Sequence, residues 1–220
     1  MTEYLAEKKQ IIETCLFMQK IGFFMGTWGN VSMRSGEHIL LTPSKVAYHL
    51  LLPEDIVVID LQGVVVSGHR KPTSEKEVHR QIYLRRNDVS AIIHTHTINA
   101  MALSGADIDR VPCLTEEMSQ LLGGPIPLTS KYIPAQQHAE LGVEAAASIG
   151  TCNAVILRNH GAAACGSDLD QASLAAQVAE KACAIFIAAT SSGRSLREIP
   201  EGSIHSEHYR YFHTYGKEDS

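Results

Sequence analysis

Ala91-Ile92-Ile93-His94-Thr95-His96 is an apolar run that ends in two histidines one residue apart. In an extended segment successive side chains point to opposite faces, so His94 and His96 project together while Thr95 points away. Neutral imidazole is a common ligand of transition metals, and a catalytic zinc site takes three protein ligands and keeps one position open. A third histidine, His160 in Leu157-Arg158-Asn159-His160-Gly161, closes another apolar run and precedes a glycine suited to a sharp exit. Taken alone, a His-x-His pair more often means two hydrogen-bonded residues at a strand end, so a metal pair needs support from elsewhere in the chain.

Upstream, Tyr4 to Ile21 carries apolar residues near helical spacing and stops at Gly22, which predicts an amphipathic helix. Gly26-Thr27-Trp28-Gly29-Asn30 is small and polar and leads into an alternating segment through Arg34. Ser35-Gly36 marks a turn, and His38 to Thr42 reads as the second strand of a hairpin. Ile56 to Asp60 and Val64 to Ser67 read as a further pair. At Pro72-Thr73-Ser74-Glu75 the period changes to that of a helix running to Arg86, with Thr73 or Ser74 as its cap. A helix N-terminus offers free amides to an anion.

Downstream, helices are expected over Ile98 to Leu103, Glu116 to Leu122, Gln137 to Ile149 and Asp168 to Ala189. Strands are expected over Ile126 to Leu128 and Ala154 to Leu157, with Ala162 to Cys165 as continuation or partner of the latter. The tail from about residue 193, with its tyrosines and histidines, shows no clear period. Strands interspersed with helices, several of them hairpin-linked, predict a mixed sheet covered by helices on its faces. The length suits a single domain over 1–220.

A formal charge of -5 gives no reason to expect nucleic acid or an anionic membrane as partner. Charged residues scattered through Met1 to Lys20 argue against a signal peptide, and Ala182 to Ala189 is too short an apolar run to cross a bilayer. Five cysteines, an odd number without Cys-x-x-Cys spacing, predict free buried thiols and a reducing cytoplasm.

Read together, Gly29-Asn30, Ser44-Lys45, Pro72-Thr73-Ser74-Glu75 and the histidines His94, His96 and His160 resemble, in order and spacing, the class II aldolase/adducin family. The resemblance covers Gly26 to about Glu180. It implies an α/β fold, a three-layer αβα sandwich with a mixed, mostly antiparallel central sheet. It also implies that His94, His96, His160 and Glu75 bind Zn2+, one per subunit, with other divalent transition metals able to substitute. Glu75, once displaced by substrate, would move a proton, while the cation polarises a substrate carbonyl. Thr27, Gly29, Asn30, Ser44, Lys45, Thr73 and Ser74 would hold a substrate phosphate. Small-residue loops, a serine beside a lysine and a helix N-terminus are also the donors that a dianion would select.

The implied activity is cleavage of a ketose 1-phosphate, such as L-fuculose 1-phosphate or a related deoxy- or methylthio-pentulose phosphate, into dihydroxyacetone phosphate and an aldehyde. Two departures from the family pattern stand out. Lys45 occupies a place where relatives carry a glycine-containing pair, and Glu116-Glu117 stands near the position of a proton-donating tyrosine. Glu117 as an acid-base group keeps a methylthioribulose-1-phosphate dehydratase-like lyase as the alternative. A sugar-phosphate 4-epimerase or a decarboxylase on the same scaffold follows, and then a non-catalytic adducin-like scaffold. Tyr209, Tyr211 and Tyr215 are candidates for a tail tyrosine reaching a neighbouring subunit's site in a cytoplasmic homotetramer. His79, one helical turn after Glu75, either supports it or has a surface or core role.

Overall fold

The computed structural model describes residues 4–134 and 136–215. Among them the strands are β1 (Asn30–Ser35), β2 (His38–Leu41), β3 (Val57–Asp60), β4 (Val65–Ser67), β5 (Ala91–Thr95), β6 (Arg110–Val111), β7 (Ile126–Pro127), β8 (Ala154–Leu157) and β9 (Gly161–Gly166). The helices are α1 (Leu5–Lys20), α2 (Lys76–Arg85), α3 (Ile98–Ser104), α4 (His138–Ile149), α5 (Leu169–Ser191) and α6 (Glu201–His213). Seven strands form the central sheet in the order β4-β3-β2-β1-β5-β9-β8, and β6 pairs with β7 separately. Every ladder is antiparallel, and a single parallel bridge, Leu128 to Ile156, joins the sheet edge to the segment after β7.

Alternation along the strands sorts the core into two layers. On β5, Ala91 and Ile93 point to a layer that contains Ile11, Cys15 and Met18 of α1, Leu103 of α3 and the alanine face of α5. Ile92 points to the other face, where Val78, Ile82 and Tyr83 of α2 meet Leu141, Ala145 and Ile149 of α4. The molecule is therefore the three-layer sandwich with a mostly antiparallel sheet. All five cysteines are buried free thiols.

Several local expectations are corrected. Residues 118–122 form a π-helical turn, with the Gly123 N–H bonded to the Met118 carbonyl at 3.0 Å, where an ordinary helix was expected. The tail, which lacked a readable period, contains α6, seated on that turn through Ile204 and His208. Neither Thr73 nor Ser74 caps α2: Glu75 occupies the cap position, and its carboxylate turns away from its own helix. At 23 residues α5 is also long and apolar enough, by length and composition, to cross a bilayer, contrary to the sequence reading; here Ala172, Ala175, Ala179 and Ala182 lie in the core against the sheet.

Candidate metal centre and its two clefts

The register places the centre. Asn30 at the start of β1 lies opposite His94 near the end of β5, and His94 lies opposite Ala163 of β9. His160 enters from the tight turn between β8 and β9, where Asn159 takes a left-handed conformation (φ 54°) that its short polar side chain tolerates. Gly161 follows, and a Cβ there would run into the Thr95 carbonyl and lie 3.3 Å from both the His94 and His96 rings. Only glycine lets β9 approach β5 closely enough to bring His160 to the other two histidines.

Glu75, at the head of α2, completes the cluster. Its Oε1 is 2.5 Å from His160 Nε2 and its Oε2 is 3.2 Å from His94 Nε2, while the Nε2 atoms of His94 and His96 are 2.9 Å apart. The four ligand atoms all lie within 4.8 Å of one another. Hydrogen bonding meets these atoms only by sharing one His94 proton between His96 and Glu75, whereas one cation meets all four lone pairs together. Three imidazole nitrogens and a carboxylate oxygen are the donor set of a first-row divalent metal, and the cluster fits one.

Burial opposes ionisation of Glu75, but the adjoining His94 and His160 rings outweigh it and hold the carboxyl well below the usual range. Burial, reinforced by His94, pushes His96 down to about 3, which leaves it neutral and able to ligate at ordinary pH.

Two clefts meet here. The first, of about 310 Å³, is lined by all seven residues singled out for a phosphate, Thr27, Gly29, Asn30, Ser44, Lys45, Thr73 and Ser74, and reaches Glu75, His96 and His160. Segments 42–44 and 71–73 run side by side, with the Ser44 N–H bonded to the Lys71 carbonyl and the Thr73 N–H to the Thr42 carbonyl, so their side chains arrive together. Gly29 (φ +116°) packs its Cα against the Phe24 ring, where a Cβ would collide. Lys45 is left-handed as well (φ 60°), a conformation that costs a non-glycine residue about 1–2 kcal/mol. The Asn30 side chain is committed elsewhere: its amide donates to Glu75 Oε2 at 2.6 Å, and its oxygen lies 2.5 Å from His79 Nε2.

The second cleft, of about 520 Å³, shares Trp28, His96 and His160 with the first but is otherwise largely apolar, with Met25, Ile98, Met101, Tyr132 and Ile133 in its wall. These residues were not identified from sequence. They come from three separate segments, and each reads there as an ordinary apolar position.

Glu117 lines neither cleft; it is half-exposed and paired with Lys181 of α5 at 2.5 Å. Tyr209, Tyr211 and Tyr215 lie on or just beyond α6, where Tyr209 stacks on His213 and Tyr211 on Tyr215, and they too are outside both clefts.

Comparison with known proteins places the chain in a family. Residues 9–187 match the family model described as "Class II Aldolase and Adducin N-terminal domain". The chain is 31% identical to the L-fuculose phosphate aldolase of Haemophilus influenzae, over 94% of each chain. It is 35% identical to that of Methanocaldococcus jannaschii, over 80% of this chain and 92% of the relative. A solved L-fuculose 1-phosphate aldolase superposes with a TM-score of 0.86 at 27% identity, covering 93% of this chain and 95% of its own.

Proposed function

Because the chain belongs to the class II aldolase and adducin family, we propose that it is a zinc-dependent aldolase that cleaves a ketose 1-phosphate into dihydroxyacetone phosphate and an aldehyde. The observation that carries this reading is the convergence of the seven anion-binding candidates on one cleft that ends at the four-ligand cluster. We take residues 1–220 as one domain of a cytoplasmic homotetramer.

In this reading the phosphate sits among Thr27, Gly29, Ser44, Lys45, Thr73 and Ser74, with the Lys45 ammonium supplying charge. Asn30 serves through its grip on Glu75. A divalent cation in the cluster supplies Lewis-acid polarisation of the substrate carbonyl. Glu75, held as a carboxylate and freed from the cluster when substrate displaces it, takes the proton of the C4 hydroxyl as the C3–C4 bond breaks, its electron pair passing to C3, and then returns that proton to C3. Glu117 lies off this chain's own clefts, so it acts only where assembly brings it to a neighbouring subunit's site.

The apolar cleft on the far side of the histidines favours a substrate whose aldehyde end is poor in hydroxyls, such as L-fuculose 1-phosphate or a deoxy- or methylthio-pentulose 1-phosphate. The test is a retro-aldol assay on a panel of these phosphates with detection of dihydroxyacetone phosphate, using Glu75→Gln and His94→Ala as controls. A diketone product without dihydroxyacetone phosphate would reassign the enzyme to dehydration, and unchanged turnover in Glu75→Gln would remove the assigned base.

A further inference from the structure

We infer that Tyr83, Ser32 and His79 form a one-way hydrogen-bonded relay that locks the Asn30 amide so that its N–H faces Glu75, which makes His79 a positioning residue for that carboxylate. The inference rests on the proposed role of Glu75 and adds the residues that orient it.

The chain of contacts is continuous and buried. Tyr83 Oη lies 2.8 Å from Ser32 Oγ, Ser32 Oγ lies 2.7 Å from His79 Nδ1, His79 Nε2 lies 2.5 Å from Asn30 Oδ1, and Asn30 Nδ2 donates to Glu75 Oε2 at 2.6 Å. Ser32, His79 and Tyr83 are wholly inaccessible. Two repeats mesh to build it. Asn30 and Ser32 are two apart on β1, and Glu75, His79 and Tyr83 recur every fourth residue at the head of and along α2. Two strand residues advance about 6.7 Å and four helical residues about 6 Å, so the partners stay in step.

Direction follows from what each group can do. An ionised carboxylate only accepts, so the NH2 of Asn30 must face it and the amide oxygen must face His79. His79 Nε2 must then carry the hydrogen. In a neutral ring Nδ1 accepts, so the Ser32 hydroxyl donates to it and in turn receives the Tyr83 hydroxyl proton. The burial that holds the His79 ring neutral agrees with this order. Reversing the relay would set the Asn30 oxygen against the carboxylate.

Two measurements test the relay. Long-range proton–nitrogen spectra of labelled protein, metal-free and zinc-loaded, should show His79 as the Nε2–H tautomer in both; an Nδ1–H tautomer or a charged ring at neutral pH overturns the proposal. His79→Leu should lower kcat and weaken zinc binding by about 10- to 100-fold. His79→Gln, whose amide restores a donor toward Asn30, should recover much of that loss in both readouts. If folded His79→Leu stays within twofold of the parent in both readouts, or Gln recovers nothing, the relay has no positioning role. Undiminished turnover in Glu75→Gln would count against the base assignment instead, and leaves the tautomer measurement as the arbiter of the relay.

Discussion

The indole of Trp28 lies nearly parallel to the imidazole of His96, 16° between planes and 6.2 Å between centroids, where the polar and apolar clefts meet. Trp28 is the sole tryptophan in the chain, so its emission reports on one place. Adding zinc to metal-free protein should change that emission with one-to-one stoichiometry. The response should disappear in His160→Ala, which leaves the stack intact but removes a ligand; a titration with no change in the parent protein would contradict the ligand set.

Lys45 holds a left-handed backbone conformation in the wall of the polar cleft. Lys45→Gly removes backbone strain and charge together. Thermal unfolding should show stability unchanged or raised by up to about 1 kcal/mol. KM for a ketose 1-phosphate should rise at least several-fold, with kcat little altered. A lower KM in the variant would show that the ammonium repels rather than recruits substrate.

Gly161→Ala presses a methyl group against the Thr95 carbonyl, a backbone atom that cannot rotate aside. The expected cost is about 1–3 kcal/mol, measured by chemical denaturation. Loss of stoichiometric zinc should accompany it, because β9 can yield only by carrying His160 away from His94 and His96.

Asp55 offers a test of pH dependence remote from the histidines. Its Oδ1 accepts from Arg70 Nε at 2.8 Å and its Oδ2 from the Leu52 N–H at 3.0 Å, and the carboxylate is 4% exposed. Burial opposes ionisation, but the Arg70 hydrogen bond, the Leu52 amide and the charges of Arg70 and His69 outweigh it and hold the carboxyl below its ordinary value. A carboxyl with a depressed folded pKa stabilises fully above its unfolded value, about 3.9, and loses that contribution as pH falls through the folded value. Asp55→Asn should cost about 1–3 kcal/mol at pH 7 in chelator, and the gap should close as pH drops below about 4. A gap that widens with acid would reverse the sign argued here.

The four residues of the candidate metal cluster were legible because each sits at the end of a strand or the head of a helix, where the chain's local pattern changes. The two-residue repeat puts His94 and His96 on one face and the change of period at Pro72 marks the helix head that carries Glu75, but joining these to His160 as one ligand set needed the resemblance to the family. Asn30 was legible as a residue of the cleft but not as the anchor of Glu75, since that contact joins positions 45 residues apart. The apolar wall was invisible for a similar reason: Trp28, Met101 and Tyr132 become neighbours only through the fold. In α6 the stripe Ile204, His208, Tyr211, Phe212 has helical spacing, but reading His208 as polar hides it, although its ring packs over Gly123 and against Phe212.

The π-helical turn at 118–122 leaves the Gln120 carbonyl available, and His208 of α6 donates its Nδ1–H to it at 2.8 Å. Gln120 also donates to Glu207 of the same helix. The carboxy-terminal helix thus acts as a clasp on the wide turn that follows Glu116 and Glu117. Affinity tags or truncations at that end are consequently not neutral handles: unseating the helix would free this turn and the two glutamates that precede it.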